Sequence, residues 1–217
     1  IGDTVIVSRA GDVIPQITKA LKELRTGKEK VFHIPIDCPV DNSKVVKEGV
    51  IYRCSSPNCG ARNREGLQHF VSRAAFDIRG LGPRIIDRFL NEGLIIDAAD
   101  IFELKEGDIA SLERFGEKSA ENLVKEISEK KVISLPRFIY SLGILHIGEE
   151  TSQLLAEEVV AKFKNPADAK ALAGRQNAKI KIDDVLQVLQ NLAIKSLEEV
   201  PDVGRKVPQS TYEWFRK

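Results

Sequence analysis

No stretch of this 217-residue chain reaches the ~18 consecutive apolar residues that cross a bilayer. Its opening segment, IGDTVIVSRAGDVIP, carries Asp3 and has no basic start before a long apolar core, so it does not read as a secretion signal. Starting at Ile1, it reads instead as a cut made inside a domain. Net charge is scarce as well. The 33 basic and 32 acidic residues leave a formal +1, whereas a protein that holds nucleic acid by bulk electrostatics is usually more basic. Cysteine is rarer still, and all three fall between Cys38 and Cys59. Without a secretion signal, that clustering favours a reducing compartment and a metal site. One disulfide plus a free thiol is the alternative.

What is present suits a folded protein. The hydrophobic fraction of 42% is far from a disordered composition, and the length allows one large domain or two to three small ones. Residues 1–35 read as β, with a strand pair turning at Gly11-Asp12 and a second β-like run at KVFHIPI (residues 30–36). Two or three strands make too small a sheet to stand alone, so further strands are expected upstream. Residues 36–62 hold the cysteines around KVVKEGVIYRC, a hairpin pattern turning at Glu48-Gly49. From about residue 63 the period becomes helical and stays so, as in EKSAENLVKEISEK and EETSQLLAEEVVAKF. Segment 165–195 reads as one or two extra helices around a polar linker at 174–179. The expected fold is therefore multi-domain and mainly α.

Four stretches in the helical part repeat: IRGLGPRII (78–86), LERFGEKSA (112–120), LGILHIGEET (142–151) and VPDVGRKVP (200–208). Each runs from an apolar residue through a short turn to apolar-Gly and a helix start. A glycine there permits positive φ and leaves no side chain in the path of a ligand. The helix that follows offers unpaired amides at the positive end of its dipole. The combination suits one phosphate of a nucleic-acid backbone. Candidate contacts are Gly80, Gly82 and Arg84 in the first copy, Gly116 and Lys118 in the second, and Gly204, Arg205 and Lys206 in the fourth. The third has Gly148 followed by Glu149 and Glu150, and is expected to pack its neighbours. These are helix-hairpin-helix motifs, expected to hold duplex DNA through both strands across the minor groove with little sequence preference. A local excess of +3 over residues 61–91 is compatible but weak support. The rival reading is that each glycine only caps a helix. GLGPRI half-matches a dinucleotide fingerprint but lacks a preceding strand and a third glycine.

A partial β segment with GDTVIVSRAGDVIPQI, then CPVD and YRCSSPNC, then four such motifs in that order resembles the C-terminal half of bacterial NAD⁺-dependent DNA ligases. FVSRAAFDIRGLG and RFIYSLGILHIGE carry the closest likeness, and 165–195 is the main exception. The resemblance implies an OB-fold remnant at 1–35, a zinc-finger-like segment at 36–62 and a helix-hairpin-helix domain at 63–217. It implies nick sealing in DNA replication and repair, in which a lysine of an upstream domain takes AMP from NAD⁺ and Mg²⁺ assists. KEGD at 105–108 is not the Lys-x-Asp-Gly of that lysine, so no catalytic or NAD⁺-binding residue is assigned, and the chain alone is expected not to seal DNA. A BRCT domain would follow Lys217.

The family places four cysteines where this chain has Cys38, Asp41, Cys54 and Cys59. Zinc accepts a carboxylate oxygen, so Asp41 is the candidate fourth ligand, with His33 as another. A decayed, metal-free hairpin is the rival. Arg9, near a strand end of the OB-like segment, is a candidate phosphate contact. Trp214, Phe215 and Tyr212 are expected in the core of the last helix, Phe102, Phe115 and Phe138 are also read as core, and His69 and His146 are given no catalytic role. The expected partner is nicked double-stranded DNA, bound by a monomer in the bacterial cytoplasm at the nucleoid. The alternatives are a non-enzymatic helix-hairpin-helix module, a diverged ligase-like protein, or a scaffold in which the hairpins only pack.

Overall fold

The structure, a computed structural model, describes residues 1–11, 13–113, 115–162, 182–191, 197, 203, 204 and 206–216. Two compact units emerge, Ile1–Cys59 and Gly60–Lys217. No helix among the described residues is long and apolar enough to cross a membrane.

The first unit holds two antiparallel ribbons. Strands β1 (Val5–Ala10) and β2 (Ile14–Ala20) pair from Val5↔Ala20 to Ala10↔Ile14, with an irregularity between Ile6 and Val7. Strands β3 (Val45–Glu48) and β4 (Ile51–Cys54) pair from Val45↔Cys54 to Glu48↔Ile51. That register puts the turn at Gly49-Val50, one residue later than the sequence suggested, with Gly49 at φ 64°. The expected strand at 30–36 does not form. Its apolar residues Val31, Phe32 and Ile34 stand exposed, and the backbone bonds the run makes are at its ends, Lys30 with Ile1 and the Ile36 carbonyl with the Val45 amide, so no ladder runs along it. Periodicity without a ladder to join does not make a strand. Only Cys38 and Cys59 are buried among the described residues of this unit.

The second unit is helical. Its elements are α1 (Gly60–Phe70), α2 (Pro83–Asn91), α3 (Glu106–Ala110), α4 (Glu117–Glu129), α5 (Leu135–Ser141), α6 (Glu149–Lys162), α7 (Ile182–Asn191) and α8 (Lys206–Trp214). Apolar residues at helical spacing build two cores. Leu67, Phe76, Ile86, Phe89, Leu123 and Ile127 belong to the first, made by α1 to α4. Leu135, Ile139, Leu155, Val159, Leu189 and Val207 belong to the second, made by α5 to α8. A two-helix hairpin has one apolar face and too little interior of its own, so neighbouring hairpins share a core. Phe138 packs against both. Of the extra segment at 165–195, residues 182–191 form α7, whose Leu189 fills the second core, and 165–181 and 192–195 lie outside the described residues.

Polar contacts join the two halves at defined points. The Arg137 guanidinium of α5 donates to the carbonyls of Ala75 and Arg73, both at 2.7 Å, beyond the C-terminal end of α1. His69 Nε2 lies 2.8 Å from the Tyr140 carbonyl, and the two rings are 4.7 Å apart. His69 therefore has a structural partner. Trp214 and Phe215 pack against the second core, while Tyr212 instead lies under the Arg216 guanidinium at 3.8 Å. Phe102 and Phe115 pack against the first core.

Candidate nucleic-acid interface and metal site

Each of the four aligned glycines stands at or just before the start of a helix. Gly82 and Gly116 are N-caps of α2 and α4, and Gly148 and Gly204 stand just before α6 and α8. The Gly82 carbonyl accepts the amides of Ile85 and Ile86 at 2.9 and 3.0 Å. The Gly116 carbonyl accepts those of Ser119 and Ala120 at the same distances. Ser152 and Val207 repeat the pattern on Gly148 and Gly204, each at 2.9 Å. Among the described residues no backbone acceptor meets the amides of Gly82, Arg84, Gly116 or Glu117. Pro83, at the first helical position, has no amide to leave unpaired.

All four glycines are exposed, and a Cβ added at any of them would meet nothing within 4 Å. Their backbone corrects one expectation. Gly82 has φ −79° and ψ 175°, and Gly116 has φ −104° and ψ 162°, an extended conformation open to any residue. The left-handed residue comes two places earlier, at Gly80 (φ 87°) in the first turn and His146 (φ 67°) in the third. Five places before the aligned glycines, Asp77 (φ 53°) and Gly143 (φ 63°) match in the same way. Turns one and three thus share a backbone course with unrelated side chains. Arg114 and Asp202, the corresponding residues in the other two, lie outside the described residues. At the aligned positions glycine therefore supplies room, not φ.

The basic candidates are placed unevenly. Arg84 and Lys206 are exposed. Lys118 is exposed but its ammonium lies 2.8 Å from Glu121 Oε2 one turn on, which holds the Glu121 carboxyl below its usual range. Arg205 lies outside the described residues. Arg9 is exposed on β1, opposite Pro15. In the third turn Glu149 and Glu150 occupy the first turn of α6, and His146 Nδ1 lies 2.9 Å from Ser210 Oγ on α8. That turn is tied to its neighbour, as expected of a packing copy. A shallow groove of about 510 Å³ borders the first turn, lined by Arg73, Asp77, Gly80 and Gly82 among others.

Contacts that sequence reasoning missed fix the first turn to the C-terminal end of α4. The Lys130 ammonium sits 3.2 Å from Asp77 Oδ2 and 3.7 Å from Glu126 Oε1, and Glu126 accepts the Arg79 amide at 3.3 Å. The Lys130 hydrogen bond holds the Asp77 carboxyl below its ordinary range, against a small opposing effect of burial. Nothing in the spacing of these four residues announces the cluster, since they meet only after α4 packs beside the first turn.

The cysteine segment converges. One donor atom each of Cys38, Asp41, Cys54 and Cys59 lie within 4.8 Å of one another, and exposed His33 is not in the group. The residues Asp41 to Ser43 turn through Asn42 at φ 57°, and Cys38 closes the turn by donating to the Ser43 carbonyl at 2.7 Å and accepting the Asn42 amide at 2.9 Å. None of the three cysteines is in a disulfide, and Cys38 Sγ lies 3.8 Å from Cys59 Sγ, too far for one. Two thiolates on a tetrahedral zinc with Zn–S of about 2.3 Å stand about 3.8 Å apart, so this edge fits. The Ser43 amide, at 3.0 Å from Oδ1, lowers the Asp41 carboxyl to about 2. Burial pushes the Cys54 thiol up to about 11, opposed by the Ser56 amide at 3.4 Å. A bound cation would reverse that effect by favouring thiolate. The donor set therefore fits zinc.

Comparison with known proteins agrees with this picture. A family model described as a SAM-like Helix-hairpin-helix tandem matches residues 72–129, the span of the first two turns. Over its whole length the chain is 39% identical, across 219 residues, to a protein named DNA ligase from Desulfitobacterium hafniense, covering 30% of it. Proteins of the same name from Nitrosococcus oceani and Desulforudis audaxviator are 38% and 41% identical and are covered over 29% of their length. The chain thus spans about three tenths of these curated relatives.

Proposed function

We propose, from the premise that the relatives along this chain's whole length are DNA ligases, that it is the duplex-gripping part of an NAD⁺-dependent bacterial DNA ligase. Residues 1–35 belong to an OB-fold, 36–62 form a zinc-bound hairpin, and 63–217 carry four helix-hairpin-helix motifs. The observation that carries the reading is the set of exposed glycine turns with open approaches, and the free amides at the first two. A phosphate oxygen placed at the Gly82–Arg84 turn would meet two unpaired N–H groups, the end of the α2 dipole and the Arg84 guanidinium. The second turn offers Gly116, Glu117 and Lys118, and the fourth Gly204, Arg205 and Lys206. Arg9 adds a contact from the β segment.

Such a grip holds a nicked duplex without reading bases, which accounts for the near-neutral net charge. AMP transfer from NAD⁺ and the Mg²⁺ that assists it belong to residues other than these, so this chain binds and positions while the seal is made elsewhere in the ligase. Zinc, held by the three cysteines with Asp41, supplies structural energy to a unit whose only buried described side chains are two of its ligands. We place the protein in the bacterial cytoplasm at the nucleoid, acting as a monomer in replication and repair.

The test is a salt titration of duplex binding by the wild type and by R84E/K118E. Each lost phosphate contact lowers the slope of log K against log salt by about 0.9, so the double variant is expected to bind weakly with a slope shallower by about 2. Unchanged affinity and slope would move the reading to a scaffold whose hairpins only pack.

A further inference from the structure

Asp41 stands where a fourth cysteine would complete the metal site, and its surroundings say how it takes part. Asp41 Oδ1 already accepts the Ser43 amide at 3.0 Å, which orients the carboxylate and leaves Oδ2 without a backbone donor. Cys54 Sγ lies 3.4 Å from Oδ1 and 3.5 Å from Oδ2. On a tetrahedral zinc with Zn–S of about 2.3 Å and Zn–O of about 2.1 Å, a sulfur–oxygen edge measures about 3.6 Å. The edge is thus in place beside the 3.8 Å edge of Cys38 and Cys59. Charge agrees: three thiolates and one carboxylate leave Zn²⁺ with the same net −2 as four thiolates, whereas histidine in that place would not.

The site is also lopsided. Cys38 and Cys59 are buried at 5% and 1% exposure, while Asp41 and Cys54 are half-buried. Water and competing ligands therefore reach the metal along the Asp41–Cys54 edge. A carboxylate is a harder donor than thiolate and holds zinc less tightly than the sulfur it replaces.

We propose that Asp41, through Oδ2, is the fourth ligand of a three-thiolate, one-carboxylate zinc site, and that this edge makes the metal exchangeable where a four-thiolate site would retain it. The proposal rests on the zinc reading above. Occupancy of the hairpin would then follow the zinc available to the protein.

The test uses the full chain with thiols kept reduced, as wild type, D41C and D41A. Cobalt(II) titration reports thiolate count through the charge-transfer band, and a chromophoric chelator reports the rate of zinc release. D41C is expected to gain about a third in charge-transfer intensity, from three thiolates to four, and to release zinc at least about tenfold more slowly. D41A is expected to release it at least about tenfold faster, the lower end of what loss of even an outer-shell partner costs. Wild type and D41A with the same cobalt spectrum and the same release rate would overturn Asp41 as a ligand while leaving zinc on the cysteines. Uptake by D41C but not by wild type would also overturn it. No cobalt uptake by wild type or D41C would bring down the zinc reading itself. Circular dichroism of each variant, with and without metal, separates loss of a ligand from loss of the fold.

Discussion

Replacing Gly116 by alanine separates a glycine kept for a ligand from one kept for the backbone. Its φ of −104° and ψ of 162° suit alanine, and the added Cβ meets no atom within 4 Å. The folded state then loses no contact and the unfolded chain loses freedom worth about 0.4–1 kcal/mol, but alanine is a poorer N-cap than glycine by a similar amount. Stability should therefore stay within about 1 kcal/mol of wild type, no more than about 4 °C in Tm. Duplex binding should fall, because the methyl group fills the approach to the Gly116 and Glu117 amides. Losing one charge-assisted hydrogen bond of about 1.5–3 kcal/mol weakens binding by about 10–150-fold. Gly80→Ala is the control. With φ 87° and Leu123 Cδ1 3.6 Å from the added carbon, it should lower stability by about 1–2 kcal/mol. Calorimetric melts paired with fluorescence anisotropy on a nicked duplex at one salt concentration measure both quantities. A Gly116→Ala protein that melts more than about 4 °C lower and binds DNA as well as wild type would refute the reasoning, because the glycine would then serve the backbone alone.

Glu121→Ala frees the Lys118 ammonium from its ion pair and removes a negative charge beside the second turn, so duplex affinity should rise, by less than about fivefold, in a side-by-side anisotropy titration. Asp77→Asn tests the cluster that ties the first turn to the C-terminal end of α4. The Asp77 carboxyl is held below its ordinary range by Lys130, so its contribution to stability is present at neutral pH and disappears as pH falls below about 4. Asparagine tolerates the left-handed backbone at φ 53°. Melts between pH 7 and pH 3 should therefore show a smaller acid-side loss in the variant than in wild type. Parallel curves would remove the ion pair from the account.

Much of the helical unit was legible because its signals are local and repeated. Apolar spacing in EKSAENLVKEISEK gave α4 to within a residue, and the four aligned glycines marked four helix starts. What could not be read depends on contacts between distant residues. KVFHIPI has strand periodicity, yet it is hydrogen-bonded to neighbours at its two ends and forms no ladder between them, so its apolar side chains stay exposed. The left-handed positions at Asp77, Gly80, Gly143 and His146 were missed because two of the four are not glycine and the hairpin backbone imposes them. The division of the helices into two cores, with Arg137 reaching back to Arg73 and Ala75, has no periodic trace in the sequence at all. At the metal site, the family resemblance nominated Asp41, with His33 as a second candidate, and the turn through Asn42 brings the former to the cysteines.

Main-chain amide resonances followed during titration with a nicked duplex test the central claim most directly. The account predicts that the Gly82, Arg84, Gly116 and Glu117 amides move first and furthest, in the direction of hydrogen bonding to phosphate oxygen. Duplex binding that left those four amides unmoved while other surfaces shifted would contradict it.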